Sequence, residues 1–194
     1  MINEVTENKS DYGFCEMFLY RNVKNGPELH SDIMKGIVKC AMIKPSLIAH
    51  PLQVAVASKK ALAAKTASIS SKEHSKKQNL MTKSIFTEIL YNLAPTKNIA
   101  ESLKVFGLAK DDQEILIVIV KEPGVQQEEN KVNKDELLEK INGDLVANIM
   151  DNKEGLPSLT NWELISKVHK FKATSNKQND VDLLISKAAT KDVS

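Results

Sequence analysis

The apolar residues of this 194-residue chain recur at two spacings, one typical of strands and one typical of helices. The stretch FCEMFLYRNV, from Phe14 to Val23, is rich in β-forming residues and leads into the turn signal NGP, which predicts a strand. Six consecutive apolar residues from Ile115 to Val120 are mostly β-branched, and the run is too short for a stable isolated helix. It therefore predicts a central strand buried on both faces.

Two shorter patterns in the C-terminal third are also interpreted as strands. DLVANI, at residues 144–149, predicts a further short strand. KVHKF, at residues 167–171, predicts an edge strand whose lysines face water, since charged edges discourage pairing with other chains.

The strongest helical pattern lies between Thr82 and Leu108. Its first half carries one apolar stripe and ends at Pro95, because proline lacks a backbone N–H and disfavours α geometry in the residue before it. Its second half begins at Asn98, the predicted N-cap, which forms a capping box with Glu101. Gly107 is predicted to end this helix in the left-handed conformation. The stripe of the first half consists of Ile85, Phe86, Ile89, Leu90 and Leu93.

Helical spacing recurs in shorter segments on both sides of this pair. Pro27 and Pro51 suit the first positions of two helices, the second of them rich in alanine. A capping box of Thr160 and Glu163 predicts the start of another. The apolar residues assigned to the shorter helices are Leu29, Ile33 and Ile37, then Leu137, Leu138 and Ile141, then Leu164 and Ile165, and finally Val181, Leu184, Ile185 and Ala188.

This order of elements indicates an α+β fold, in which a helical block packs against a small, mainly antiparallel sheet. We predict one domain over residues 14–194, preceded by a polar tail at residues 1–13. Residues 67–79 are nearly devoid of large apolar side chains, so we expect a mobile loop there. No apolar run approaches the roughly 18–20 residues of a membrane span, and the N-terminus has no apolar signal segment, so we expect a protein inside the cell.

Charge is distributed unevenly along the chain. From Lys59 to Lys83 there are seven lysines and one glutamate, a net charge of +6, against +2 for the whole chain. Such a basic tract can contact a polyanion, but it is equally typical of a solvated lysine-rich loop. The two cysteines, Cys15 and Cys40, form no CxxC pair, so we expect reduced, buried thiols and no zinc site or disulfide.

Catalytic motifs are absent from the sequence. It contains no GxGxxG, GxxxxGK[ST], HExxH or GxSxG string. The four histidines, His30, His50, His74 and His169, fall in different predicted elements and are interpreted as surface or capping residues. We therefore predict a protein that is not an enzyme and that needs no metal or cofactor. The alternative is a small α+β enzyme with an unrecognised active site.

An ordered set of motifs carries a family resemblance. The core NLxPxxNIxExLxxFG runs from Asn92 to Gly107, MIKPSLIAHPLQVAVASKKAL precedes it, EILIVIV follows it, and TKDV stands near the C-terminus. In this order the motifs resemble the TPRKB family, the kinase-binding subunits of the KEOPS (EKC) complex. The resemblance covers Phe14 to Lys121 well and the C-terminal third more loosely.

The resemblance implies a non-catalytic adaptor that binds the atypical kinase-like ATPase of the complex. It also implies help in recruiting tRNA through its 3′ end, for threonylcarbamoylation of the adenosine beside the anticodon, in the cytoplasm and nucleus. Lys60 and Lys83 match basic positions of the family, whereas Lys59 replaces an asparagine, and all three are candidate RNA-binding residues.

The candidate surface for the kinase is the C-terminal helix with its tail, which is amphipathic and terminal. Its candidate residues are Val181, Leu184, Ile185, Ala188 and Val193. Four apolar residues at helical spacing are, however, more often core than interface. The lysines likewise have a second interpretation, in which they only keep two helices soluble and the protein is purely a protein-binding scaffold.

Overall fold

A computed structural model describes residues 12–70, 80–121 and 134–191 of the chain. In these residues four strands form one sheet: β1 (Cys15–Arg21), β2 (Ala41–Ile43), β3 (Ile115–Val120) and β4 (Asp144–Leu145). Every neighbouring pair is antiparallel, and the strand order is β2-β3-β1-β4. The two long strands, β1 and β3, are the ones that the apolar runs predict, and DLVANI contributes β4.

Helices make up most of the rest of the described chain. They are α1 (Gly26–Met34), α2 (Pro51–Ser70), α3 (Ile85–Leu93), α4 (Ile99–Phe106), α5 (134–139), α6 (Leu156–Leu159), α7 (Trp162–His169) and α8 (Lys177–Thr190), with a 3-10 turn at Pro45–Leu47. With the small antiparallel sheet, they confirm the predicted α+β fold.

The sheet is covered on both faces. Side chains of β1 alternate across the pleat, so Cys15 and Leu19 join the apolar core beneath the helical block, whereas Phe18 and Tyr20 join a second core with residues of α1 and α5. Strand β3 alternates in the same way and is almost wholly buried. This explains its unbroken apolar run, since both of its faces need an apolar surface.

The helical block is centred on α2, which packs against both α3 and α8. A polar contact fixes α3 on α2, because the buried side chain of Asn92 donates from Nδ2 to the carbonyl oxygen of Ala57 at 3.2 Å. The arrangement brings the C-terminal helix α8 against the helix that carries Lys59 and Lys60.

The helices α3 and α4 begin at capping residues. Ser84 caps α3 in a reciprocal box with Thr87. Asn98 caps α4, as predicted, and its side chain accepts the N–H of Glu101 at 3.1 Å. The reciprocal arm predicted for Glu101 is made by Thr96 instead, whose Oγ1 accepts the Asn98 N–H and donates to the Glu101 carboxylate.

Gly107 ends α4, but the predicted left-handed conformation is wrong. Its φ of −76° and ψ of 161° are extended. Gly107 also forms an isolated β-bridge with Ile43, the last residue of β2. A glycine is needed here for a different reason: a Cβ atom at this position would lie 2.5 Å from the carbonyl oxygen of Leu103. The constraint is therefore close backbone approach and not a positive φ.

Several predicted boundaries in the helical segments need correction. Helix α1 ends at Met34 because Gly36 adopts a φ of +71°, so Ile37 is exposed and lies outside the helix. Helix α2 continues to Ser70, so residues 67–70, predicted as the start of a loop, are helical. The remaining residues of that predicted loop, 71–79, lie outside the described residues.

The prediction of an edge strand at KVHKF is wrong. Residues 167–169 are the last turn of α7, and Lys170 is its left-handed C-cap, with φ of 52° and ψ of 55°. The N-cap of α7 is Asn161 and not Thr160, because the side chain of Asn161 accepts the N–H of Leu164 at 2.9 Å. The Thr160 hydroxyl instead bonds the carbonyl oxygen of Ile48 at 2.8 Å.

None of the described helices has both the length and the apolar character that a membrane span requires.

Candidate functional surfaces

The two candidate lysines of α2 have different surroundings. Lys59 is exposed, and its ammonium lies 5.0 Å from the centre of the Phe14 ring. Lys60 is half-buried and donates from Nζ to the carbonyl oxygen of Ala188 on α8 at 3.2 Å. Lys60 therefore joins α2 to α8, and only Lys59 presents its side chain mainly to solvent.

Lys83 is exposed and lies directly before α3, between two anchored residues. On one side, the backbone N–H and the hydroxyl of Thr82 both bond the buried Glu88 carboxylate at 2.8 Å. On the other side, Ser84 is held in its capping box with Thr87. The backbone at Lys83 is thus fixed while its ammonium faces water.

The candidate partner-binding residues lie mostly inside the fold. Val181, Leu184 and Ala188 are buried in the core, and Ile185 is half-buried. Val193 lies outside the described residues. Because the first three are buried, they are not available to a partner while α8 is packed against α2 and α3. A role for this helix in kinase binding stays a prediction that falls on its opposite, exposed face.

Lys187 of α8 and Lys191, the C-cap residue of this helix, anchor it to neighbouring elements. Lys187 donates to the carbonyl oxygen of His169 at 2.6 Å, and burial lowers the pKa of its ammonium. The ammonium of Lys191, whose side chain is buried, donates to the carbonyl oxygen of Tyr91 and lies over that ring. Lysines at the C-terminal ends of α7 and α3 are favourable because helix carbonyls there lack partners within the helix.

A second group of lysines was missed by the sequence reasoning. Lys167, Lys170 and Lys172 are exposed at the end of α7. The edge-strand interpretation would have put Lys167 and Lys170 on opposite faces, whereas in a helix residues three apart share a face. The signal was in the sequence: residues 164–177 contain four lysines and no acidic residue.

His169, at the end of α7, is buried under α8. Its ring packs edge-on against Phe106, with centroids 5.9 Å apart and planes at 80°. Among the residues that the structure describes, neither ring nitrogen has a hydrogen-bond partner. Burial, with a smaller effect from the charge of Lys187, lowers the pKa of His169 from 6.5 to about 4. The histidine is thus a neutral core residue, whereas the sequence interpretation put it at the surface or at a cap.

Two further features bear on possible chemistry. Among the residues that the structure describes, no three His, Cys, Asp or Glu side chains are placed to hold a metal ion. An open cleft of about 520 Å³ lies between the loop before α1 and residues 110–113. Its half-buried carboxylate, Asp112, accepts the N–H of Ala109 at 2.6 Å and pairs with Lys44, so it stabilises a turn. The side chains of Cys15 and Cys40 are both buried, as predicted.

The fold and these contacts define a small α+β protein that presents exposed lysines at its surface and buries the inner faces of its helices. The chain belongs to the family described as Kinase binding protein CGI-121, whose model matches residues 20–192. It is 30% identical to the EKC/KEOPS complex subunit TPRKB of Danio rerio over 177 residues, which cover 90% of this chain and 89% of the relative. The match confirms the resemblance drawn from the motifs and extends it through the C-terminal third.

Proposed function

We propose that the protein is a non-catalytic adaptor subunit of a KEOPS/EKC complex that binds the atypical kinase-like ATPase. The observation that carries this proposal is the family match across residues 20–192, which includes both the sheet and the helical block. A relative that is named as a subunit of that complex, and that aligns over 89% of its own length, supports it. In this role the protein holds other molecules in place, in the cytoplasm and nucleus.

The proposal extends to tRNA, which the adaptor helps to recruit for threonylcarbamoylation of the adenosine beside the anticodon. The exposed ammonium groups of Lys59 and Lys83 support this extension, because solvent-facing lysines are suited to the phosphate backbone. Lys60 contributes mainly by holding α8 against α2, and it adds its positive charge to the same surface.

The structure decides which lysines to change in a test of RNA binding. Reversing the charge of Lys60 would also disrupt its bond to Ala188, so a loss of binding could come from a displaced α8. The double variant Lys59→Glu, Lys83→Glu avoids this problem. We expect it to weaken tRNA binding about tenfold, as two exposed charge contacts are reversed, and to retain kinase binding.

The matched control is Lys35→Glu, Lys39→Glu. These two exposed lysines lie at and beyond the end of α1, a helix that packs on the second core and not in the helical block. Affinity for tRNA measured at moderate salt should be unchanged in this control. Equal affinities for both double variants and the wild type would refute the role of Lys59 and Lys83.

Kinase binding is tested by co-purification of the full chain with the kinase-like ATPase. Leu183→Glu changes the exposed face of α8, where Leu183 is 38% exposed, and we expect it to reduce recovery of the ATPase. Leu145→Glu, at a residue 37% exposed on β4, is the matched control. A truncation after Lys191 tests the tail while keeping the Lys191 contact to Tyr91. If neither Leu183→Glu nor the truncation reduces recovery of the ATPase, the kinase binds elsewhere on the protein.

A further inference from the structure

The lysines at the end of α7 have exposed, unengaged charges. We call Lys167, Lys170 and Lys172 the α7-end lysines. All three are exposed, and within the described parts of the chain their side chains make no hydrogen bond or ion pair. By contrast, Lys60, Lys187 and Lys191 all donate to carbonyl oxygens of neighbouring elements. The α7-end lysines therefore keep the full charge that a ligand could use.

Capping of α7 does not account for these three lysines. The carbonyl oxygen of His169 already accepts from Lys187, and the carbonyl oxygen of Ser166 accepts the backbone N–H of Lys170 and of Phe171. The C-terminal end of the helix is thus served by other groups. Lys170 also occupies a left-handed conformation, with φ of 52°, that glycine or asparagine would adopt at lower cost.

The local charge is positive, although Glu163 lies one helical turn before Lys167 on α7. The segment 164–177 contains four lysines and no aspartate or glutamate, which gives a net charge of +4. The fourth, Lys177, is engaged by Asp180 at 3.6 Å and lies over the Trp162 ring. Within the described residues no ion pair joins Glu163 or Asp180 to the three α7-end lysines, so these lysines keep a net positive charge that attracts anions over about one Debye length, roughly 8–10 Å.

Contacts with α8 connect this surface to the candidate RNA-binding lysines of α2. Lys60 contacts α8 at Ala188, and α7 contacts it at the preceding residue, Lys187. Lys60 of α2 and the end of α7 at His169 therefore contact adjacent residues of α8, a helix about 10–12 Å in diameter. One RNA backbone is long enough to contact both groups.

We infer that the α7-end lysines are a second phosphate-contacting surface for the tRNA that the proposed function assigns to this protein. Lysine ammonium groups are point charges on flexible stems, so they contact backbone phosphates and not base edges. The surface adds affinity and salt dependence without sequence preference. This inference rests on the proposed tRNA-binding function.

The test removes these charges without disturbing α7. The triple variant Lys167→Gln, Lys170→Gly, Lys172→Gln keeps the helix polar and supplies glycine at the left-handed position. The matched control, Lys35→Gln, Lys39→Gln, Lys153→Gln, removes three exposed lysines elsewhere. A third variant replaces the α7-end lysines by arginine and retains the charge. Thermal melting checks that all variants fold, and tRNA affinity of the full chain is measured over a series of salt concentrations.

We expect the triple variant to bind tRNA about tenfold more weakly, with the slope of log affinity against log salt reduced by about 2–3, as the loss of three phosphate contacts requires. The control and the arginine variant should keep the slope of the wild type. If the triple variant keeps that slope while Lys59→Glu, Lys83→Glu weakens binding, this inference is wrong and the proposed function stands. If the wild type itself binds no tRNA, the tRNA part of the proposed function fails and the inference fails with it. Loss of kinase recovery with unchanged tRNA binding would instead assign the surface to a protein partner.

Discussion

The buried imidazole of His169 makes a specific prediction about stability and pH. The residue is 2% exposed, and its ring nitrogens have no hydrogen-bond partner within the described part of the chain. Folding lowers its pKa from 6.5 to about 4, mainly through burial. Between these values the unfolded chain binds a proton at this site and the folded chain does not, so falling pH favours unfolding. The contribution of His169 is fully present above about pH 6.5 and is lost as the pH falls toward about 4.

The size of the effect follows from the shift. A difference of 2.5 between 6.5 and about 4, at about 1.4 kcal/mol per pKa unit, corresponds to about 3.5 kcal/mol over the whole range. About 2 kcal/mol of it is expressed between about pH 7 and about pH 5. His169→Leu removes the titrating group and fills a similar volume, so it should lose this part of the pH dependence. At about pH 7 we also expect a gain of about 1 kcal/mol, because a buried polar group without partners is removed.

Urea unfolding of both chains at about pH 7 and about pH 5 measures the effect, and the difference between the chains cancels the titration of all shared groups. His30→Gln is the control, since His30 lies on α1 away from the main core and is only half-buried. This variant keeps His169, so it should keep the loss of stability that His169 contributes on acidification. If His169→Leu loses as much stability as the wild type on acidification, the buried, neutral state assigned to His169 is wrong.

Three further substitutions test single contacts, each by urea unfolding. Gly107→Ala should destabilise by about 1–3 kcal/mol, because its Cβ would lie 2.5 Å from the carbonyl oxygen of Leu103, and no loss of stability would contradict this reason for the glycine. Glu16→Gln should cost about 1 kcal/mol, since it removes the carboxylate that pairs with Lys121 and Lys134 at 3.5 and 3.2 Å, and high salt should reduce the difference. Lys191→Met keeps the apolar stem but removes the donor to Tyr91, so a loss of about 1–2 kcal/mol is expected, and no loss would contradict the anchoring role.

The elements that could be predicted from the sequence are those with strong local signals. The apolar run of β3 and the stripe of α3 each report burial directly, because side-chain periodicity follows backbone geometry. Asn98 was identified as an N-cap since its side chain bonds the backbone three residues on, a purely local interaction. The small antiparallel sheet under a helical block follows from the order of these elements.

The errors fall where distant contacts decide. KVHKF has the alternation of an edge strand, but Ile165 and His169 are buried at helical spacing against elements far away in the chain. Gly107 was assigned a left-handed conformation from its place after a helix, whereas its bridge to Ile43 makes it extended. In both cases tertiary packing overrides a local pattern, which a single sequence does not reveal.

The lysines show why a count of charges could not locate the candidate RNA surface. The sequence placed the basic tract between Lys59 and Lys83, yet Lys60 in that tract is used to hold α8. Lys187 and Lys191 likewise donate hydrogen bonds to carbonyl oxygens of α7 and α3. A lysine that caps a neighbouring helix and a lysine that faces solvent contribute equally to net charge, but only the second can give its charge to a phosphate without loss of packing. Whether a lysine caps a helix or faces solvent depends on which helix ends lie near its side chain. The RNA-binding experiments therefore change Lys59, Lys83 and the α7-end lysines. Lys60, Lys187 and Lys191 are suited to tests of stability.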